Sequence, residues 1–230
     1  MKRSTTSRSS LAAVTALAPA VVCAHNVSEQ AQQRMLSGGL VDAAWIGAEH
    51  MLTGYDHLLF LLGVMLFLVR PAQILLFVTA FTIGHTLTLL FATLAGISAD
   101  PHLIDAVIAL TVVYKAVENL DGFRRWFGIQ TPHLVVMVFV FGLIHGFGLS
   151  TRLQQMTIAA DPRLTAKILA FNVGVELGQV VALAGMFLVL QQWRSDSRFH
   201  VYTRSINLAL MAAGVLLLAL QIHGFMAASA

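Results

Sequence analysis

The residues best suited to chemistry in this chain lie inside its most apolar stretches. His50, Asp56 and His57 occupy one such stretch, His85 a second, His145 a third and Glu176 a fourth. Placing an ionisable side chain at the centre of a bilayer costs ~2.5–3.5 kcal/mol on insertion scales, so each of these residues needs a site or a partner to account for it. Neutral imidazole nitrogens with carboxylate oxygens suit divalent Ni, Co and Zn, and the want of usable thiols disfavours Cu(I). The single cysteine, Cys23, excludes a disulfide framework and a cysteine-based metal cluster.

Spacing gives these residues faces. On a helix His50 and His57 stand two turns apart on one side, with Glu49, Thr53 and Asp56 beside them. Thr82, His85 and Thr86 share a face, and Asn172, Glu176 and Gln179 follow i, i+4, i+7 as an inward polar stripe. Gly142 with Gly146 and Gly174 with Gly178 form GxxxG pairs around His145 and Glu176, a spacing that lets backbones approach closely. Packing of those two faces on each other is expected to bring His145 near Glu176. Three histidines with one or two carboxylates complete a coordination shell. The candidate ligands are His50, Asp56, His57, His85, His145 and Glu176, supported by Glu49, Thr82, Asn172 and Gln179. Asp105, His133 and His223 fall near stretch ends and read as interfacial.

A membrane explains the elements that must carry these residues. Of 230 residues, 57% are hydrophobic and 11% charged, whereas soluble domains hold roughly 25% charged residues. The mean hydropathy is +0.78. Such a composition excludes intrinsic disorder, a nucleic-acid-binding domain and an ordinary cytosolic enzyme. Apolar stretches recur that are long enough to cross ~30 Å of hydrocarbon as helices. A helix bundle follows, because backbone groups in lipid must bond within their own segment. The expected fold is all-α, a polytopic membrane bundle of six transmembrane helices over 45–69, 74–96, 103–120, 133–150, 167–190 and 205–226. Arg70-Pro71, Asp100-Pro101 and Asp161-Pro162 punctuate it.

Residues 1–24 read as a signal peptide: Lys2, Arg3 and Arg8 precede the apolar run from Leu11 to Val22, and Val22-Cys23-Ala24 is a small-residue cleavage site. Residues 25–44 form a short extracytoplasmic lead, and 45–226 the transmembrane domain. With the mature N-terminus outside, the inner loops hold Arg70, Arg124, Arg125, Arg194, Arg198 and Arg204, and the outer segments Arg34, Arg152, Arg163 and Lys167. That bias agrees with the signal peptide, so the net charge of +3 reports orientation and not a polyanionic partner. In this orientation the histidines and Glu176 gather between the outer mouth and the midplane. Lys115 and Glu118, one turn apart at the inner end of the third span, read as a salt bridge or snorkelling pair.

His50-Met51-Leu52-Thr53-Gly54-Tyr55-Asp56-His57 is an H-x5-D-H arrangement in a first span after a signal peptide. Together with Asp56-His57-Leu58-Leu59-Phe60, Phe81-Thr82-Ile83-Gly84-His85-Thr86-Leu87-Thr88-Leu89 and Phe141-Gly142-Leu143-Ile144-His145-Gly146-Phe147-Gly148, it resembles the HupE/UreJ family of bacterial membrane proteins over residues 40–190. The resemblance implies a signal peptide, a bundle of about six spans, and secondary permeation of nickel or cobalt for hydrogenase or urease maturation. It implies metal binding by His50, Asp56 and His57, and sets His145-Gly146 against a second histidine-glycine motif. Nickel-handling members carry paired histidines and a following glutamate there. This chain has Ile144-His145-Gly146-Phe147-Gly148 and is similar to the family's divergent branch, with Glu176 a candidate for the missing carboxylate.

The expected activity is that of a secondary permease for Ni²⁺ or Co²⁺. The ion would enter from outside, lose water onto His50, Asp56, His57 and His85, and pass a far wall of His145 and Glu176. No nucleotide-binding motif is present in the sequence, so the drive would be the membrane potential or an ion gradient. At ~2.3 kcal/mol per charge per 100 mV, a divalent cation gains about 4.6 kcal/mol per 100 mV. Two other readings stay open. Bound Zn²⁺ would make an intramembrane hydrolase with Glu49 or Glu176 as general base, and an accessory protein without transport would hand metal to a partner. The expected contacts are a metal ion and membrane lipid, with no nucleic acid. A homo-oligomer or a metalloenzyme-maturation partner also stays open. The expected location is the bacterial inner membrane, multi-pass, with a periplasmic mature N-terminus.

Overall fold

The computed structural model describes residues 29–68, 70–155, 161–194, 196 and 198–229; the expected signal peptide over 1–24 lies outside the described residues. Those residues form nine helices and no strand: α1 (Glu29–Ser37), α2 (Leu40–Thr53), α3 (Tyr55–Met65), α4 (Pro71–Ala95), α5 (Pro101–Asn119), α6 (Gly122–Phe127), α7 (Leu134–Gln155), α8 (Leu164–Arg194) and α9 (Phe199–Ala228). The boundaries have local causes. Proline opens α4 and α5, where its missing N–H and fixed φ suit a first turn. The Asp100 side chain accepts from the amides of His102 at 2.8 Å and Leu103 at 3.2 Å. Gly96, at φ +66°, ends α4 in the left-handed region that glycine enters freely.

The first expected span is not one helix. It starts earlier, at Leu40, and breaks at Gly54 into α2 and α3. The break is closed by backbone bonds on either side, Gly54 N–H to His50 O at 2.9 Å and Leu58 N–H to Gly54 O at 3.0 Å. Glycine is required there by crowding: a Cβ would lie 2.8 Å from His57 Nδ1 and 3.0 Å from His50 O. The last spans are longer than expected, because α8 continues to Arg194 and α9 begins at Phe199.

Glycines decide which helices touch. A Cβ on Gly84 would overlap the Phe139 carbonyl, one on Gly142 the Phe81 carbonyl, and one on Gly146 the His85 carbonyl, so α4 and α7 meet backbone to backbone. On the other side Gly47 meets Phe171, Gly174 meets Ala44 and Gly178 meets Ala48, which joins α2 to α8. The expected pairing of the two GxxxG faces on each other is therefore wrong. The motifs do bring backbones together, but each faces a different partner. Gly214 against Val113 joins α9 to α5, and α3 lies between these pairs.

Cations on α8 hold the ends of the broken region. Lys167, expected at the outer mouth of the fifth span, is fully buried. Its Nζ donates to Met35 O at 2.8 Å and Leu36 O at 3.0 Å and pairs with Asp161 at 2.6 Å, capping α1. At the other end Arg194 Nη2 donates to Met65 O at 2.6 Å and Leu68 O at 2.9 Å, capping α3.

Polarity is inverted relative to a soluble protein. Leu75, Phe91, Leu94, Val181 and Leu188 are exposed, while Asp56, His57, His85, Asp105, Lys115, His145, Asn172 and Gln179 are buried. Four helices, over Ala72–Ala95, Leu134–Gln154, Leu164–Arg194 and Val201–Ala228, are long and apolar enough to cross a membrane. Of the rest, α2 and α3 are short, and α5 carries Asp105, Lys115 and Glu118.

Candidate metal centre

The break at Gly54 places Asp56 and His57 in the first turn of α3. An ionised carboxylate there faces the positive end of the helix dipole. Asp56 Oδ1 accepts from His57 Nδ1 at 3.1 Å. From α7, His145 Nε2 comes to 3.8 Å from Asp56 Oδ2, and the two imidazole centroids are 4.8 Å apart. One ligand atom from each of Asp56, His57 and His145 lies within 4.8 Å of the others, and all three residues are buried. An ion with bonds of ~2.1 Å holds its donors roughly 3–4.2 Å apart, so a small side-chain adjustment would close the shell.

The hydrogen bonds fix which ring nitrogen faces inward. His145 Nδ1 is 2.7 Å from the Phe141 carbonyl, which accepts but cannot donate, so Nδ1 carries the proton. The neutral ring then presents Nε2 as a bare lone pair towards a carboxylate oxygen. Two acceptors facing one another are relieved by a proton or a metal cation between them. His85 is set in the same way from farther off. Asn172 Nδ2 donates to Ile168 O at 2.9 Å, which leaves Oδ1 to accept from His85 Nδ1 at 2.8 Å. His85 Nε2 is buried and without a hydrogen-bond partner. His57 donates through Nδ1 to Asp56, which makes Nε2 its acceptor. Anchoring one ring nitrogen to orient the other is the arrangement second-shell groups give metal-binding histidines.

The remaining candidates stand at graded distances from this centre. His50, half-buried in the last turn of α2, has its ring centroid 5.1 Å from that of His57. Glu49 is exposed and Glu176 half-buried; the convergent trio is made without either. Thr82 and Gln179 are buried, like Asn172. On the other side the centre rests on aromatic rings: Phe81 lies 5.3 Å and Phe60 6.2 Å from His145, and Phe60 packs on Phe77 and Phe141 at 5.9 and 5.3 Å. The expected inner pair forms, Lys115 Nζ donating to Glu118 at 2.8 Å. Asp105 is not interfacial: it is buried and paired with Arg152 across α5 and α7.

Sequence reasoning missed the Asn172–His85 bond, the Asp105–Arg152 pair and the helix break. Only the break had a signal, a glycine within the H-x5-D-H run. These features define a helical membrane protein with a histidine–carboxylate centre in its interior. Residues 24–229 match the family model described as HupE / UreJ protein, and the chain belongs to that family. No curated protein and no solved structure matches it.

Proposed function

We propose that the chain is a secondary permease for a divalent transition-metal cation of the nickel or cobalt class, with Asp56, His57 and His145 as its central ligands. The observation that carries the reading is that these two histidines, and His85 beyond them, each have Nδ1 tied to an acceptor. Each therefore offers Nε2, the atom a metal would take. Family membership adds to it, since the family is linked to nickel and cobalt transport or to urease and hydrogenase maturation.

In this reading α2 with α3 counts as one span, and α4, α5, α7, α8 and α9 complete six in the inner membrane, after a signal peptide at 1–24 and with the N-terminus periplasmic. His50 receives the ion on the outer side, Asp56, His57 and His145 replace its water, and His85 and Glu176 lie on its way. A helix broken at the midplane, with its two half-helix ends at the ion, is how transporter folds build such sites. The membrane potential supplies about 4.6 kcal/mol per 100 mV for a divalent ion. The test is radiolabelled nickel and cobalt uptake, in cells and in proteoliposomes holding this chain alone. His57→Ala is expected to abolish accumulation at normal expression. Undiminished uptake by the variant refutes the site. Tightly held zinc without flux favours a hydrolase, and a need for a second protein favours an accessory role.

A further inference from the structure

We infer that Thr82, His85 and Gln179 form a second cation station between α4 and α8, inward of the Asp56–His57–His145 trio, which takes the ion with part of its water. The inference rests on the permease reading. It starts from atoms that the trio does not use: His85 Nε2, Thr82 Oγ1 and both amide atoms of Gln179 are buried and have no hydrogen-bond partner. Buried polar groups are nearly always satisfied, so four such atoms on two neighbouring helices point to an occupant.

The register of the helices puts them in one row. His85 and Asn172 are bonded across α4 and α8. Farther inward Val78 of α4 and Leu183 of α8 line one cavity with Ile74 and Val180. The two helices therefore run antiparallel in contact between these levels. Thr82, Gln179 and Glu176 all fall in that interval. Thr82 is about one turn inward of His85, and Gln179 about two turns inward of Asn172. One turn is within reach of a shared ion, but the two turns between the His85–Asn172 level and Gln179 are too wide for one bare ion to touch every group. They suit an ion that bridges to the hydroxyl and the amide through retained water, while His85 Nε2 binds it directly. Asn172 orients His85 for this by holding Nδ1–H. The groups are uncharged, so the station binds more weakly than the trio with its carboxylate.

The test is Ni²⁺ titration of the purified full chain by calorimetry, with uptake measured in parallel. The wild type is expected to bind one ion tightly and a second more weakly. Thr82→Val with Gln179→Leu should remove the weaker event and lower maximal uptake about tenfold or more. The tight dissociation constant should stay within about twofold, and thermal unfolding should not fall, because both changes delete unmet polar atoms. Gln179→Glu should tighten the weaker event about tenfold or more by adding a charge. Asp56→Asn should remove the tight event instead. Unchanged stoichiometry and uptake in the Val/Leu variant, or unchanged affinity in Gln179→Glu, overturn the second station and leave the trio standing. A wild type that binds no Ni²⁺ overturns both.

Discussion

Alanine at Gly54 should weaken the metal centre as well as crowd the fold. The residue sits at φ −71°, ψ 105°, a region open to any L-residue, so the substitution brings no backbone strain. What it brings is contact. Its Cβ would lie 2.8 Å from His57 Nδ1, 3.0 Å from His50 O and 3.3 Å from Asp56 Oδ1, where ordinary contact begins at 3.4 Å. The imidazole must therefore retreat by about 0.6 Å, the difference between 3.4 and 2.8. Its 3.1 Å bond to Asp56, which holds both ligands, goes with it. Disturbing a group that orients a metal ligand costs ~10–100-fold in affinity, or about 1.4–2.8 kcal/mol of binding. The fold is destabilised by a similar amount, since the His50 carbonyl must give as well as the imidazole and overpacking of this kind costs ~1–3 kcal/mol. Gly185→Ala is the matched control, since a Cβ there meets nothing within 4 Å. Ni²⁺ titration of the purified variants, with thermal unfolding alongside, measures both effects. If Gly54→Ala binds nickel within twofold of wild type, the Asp56–His57 geometry does not set affinity and the centre is misassigned.

Two further perturbations probe the frame around the centre. Arg152→Met withdraws the guanidinium from the buried Asp105 carboxylate and should lower stability by about 3–5 kcal/mol, read by denaturation in detergent; the Asp105→Asn, Arg152→Met double variant should recover part of it, and a harmless single variant refutes the pairing as structural. Asp161 accepts from the Lys167 ammonium and from the Arg163 amide, and these bonds, the first most, hold its carboxyl below the usual carboxylate range. The stability they lend is complete above the ordinary value of ~3.9 and is lost as pH falls through the lowered one. Hydrogen exchange over α1 should therefore quicken in acid below about pH 4, and at neutral pH in Asp161→Asn; equal exchange in all conditions refutes the clamp.

The helical class, the placing of the later helices and the interior position of Asp56, His57, His85 and His145 were legible because each rests on a local signal. Apolar length marks a helix, proline and aspartate mark its start, and an ionisable residue in an apolar run marks an interior site. What failed was whatever needed knowledge of which helix lies beside which. Gly142, Gly146, Gly174 and Gly178 announce close packing but do not name a partner, and the structure gives them α4 and α2 instead of each other. For the same reason Asn172 looked like one member of a stripe. Its bond to His85 joins positions 87 residues apart, and nothing near either one predicts it. Lys167 reads as a charge at the mouth of a span because its acceptors, the last carbonyls of α1, exist only once that helix is docked.

In the permease reading the charge on the centre sets how tightly an ion is held. Two imidazoles and one carboxylate would leave a bound divalent ion with a net charge of one, in an interior where charge is poorly screened. A second carboxylate in direct contact would neutralise the ion and deepen the well from which it must escape, as in a structural site meant to retain its metal. Glu176 is half-buried, and the trio closes without it. Thr82 and Gln179, the buried polar groups of the same interval, carry no charge at all. Conduction needs binding strong enough to strip water and weak enough to be left. In the permease reading the break at Gly54 would serve the first need without compromising the second: the carbonyl end of α2, with His50 in its last turn, would attract the cation, while the amide end of α3 stabilises the Asp56 carboxylate. Both effects come from fixed dipoles, which would attract the ion to one depth in the bundle and add no ligand that must later be broken.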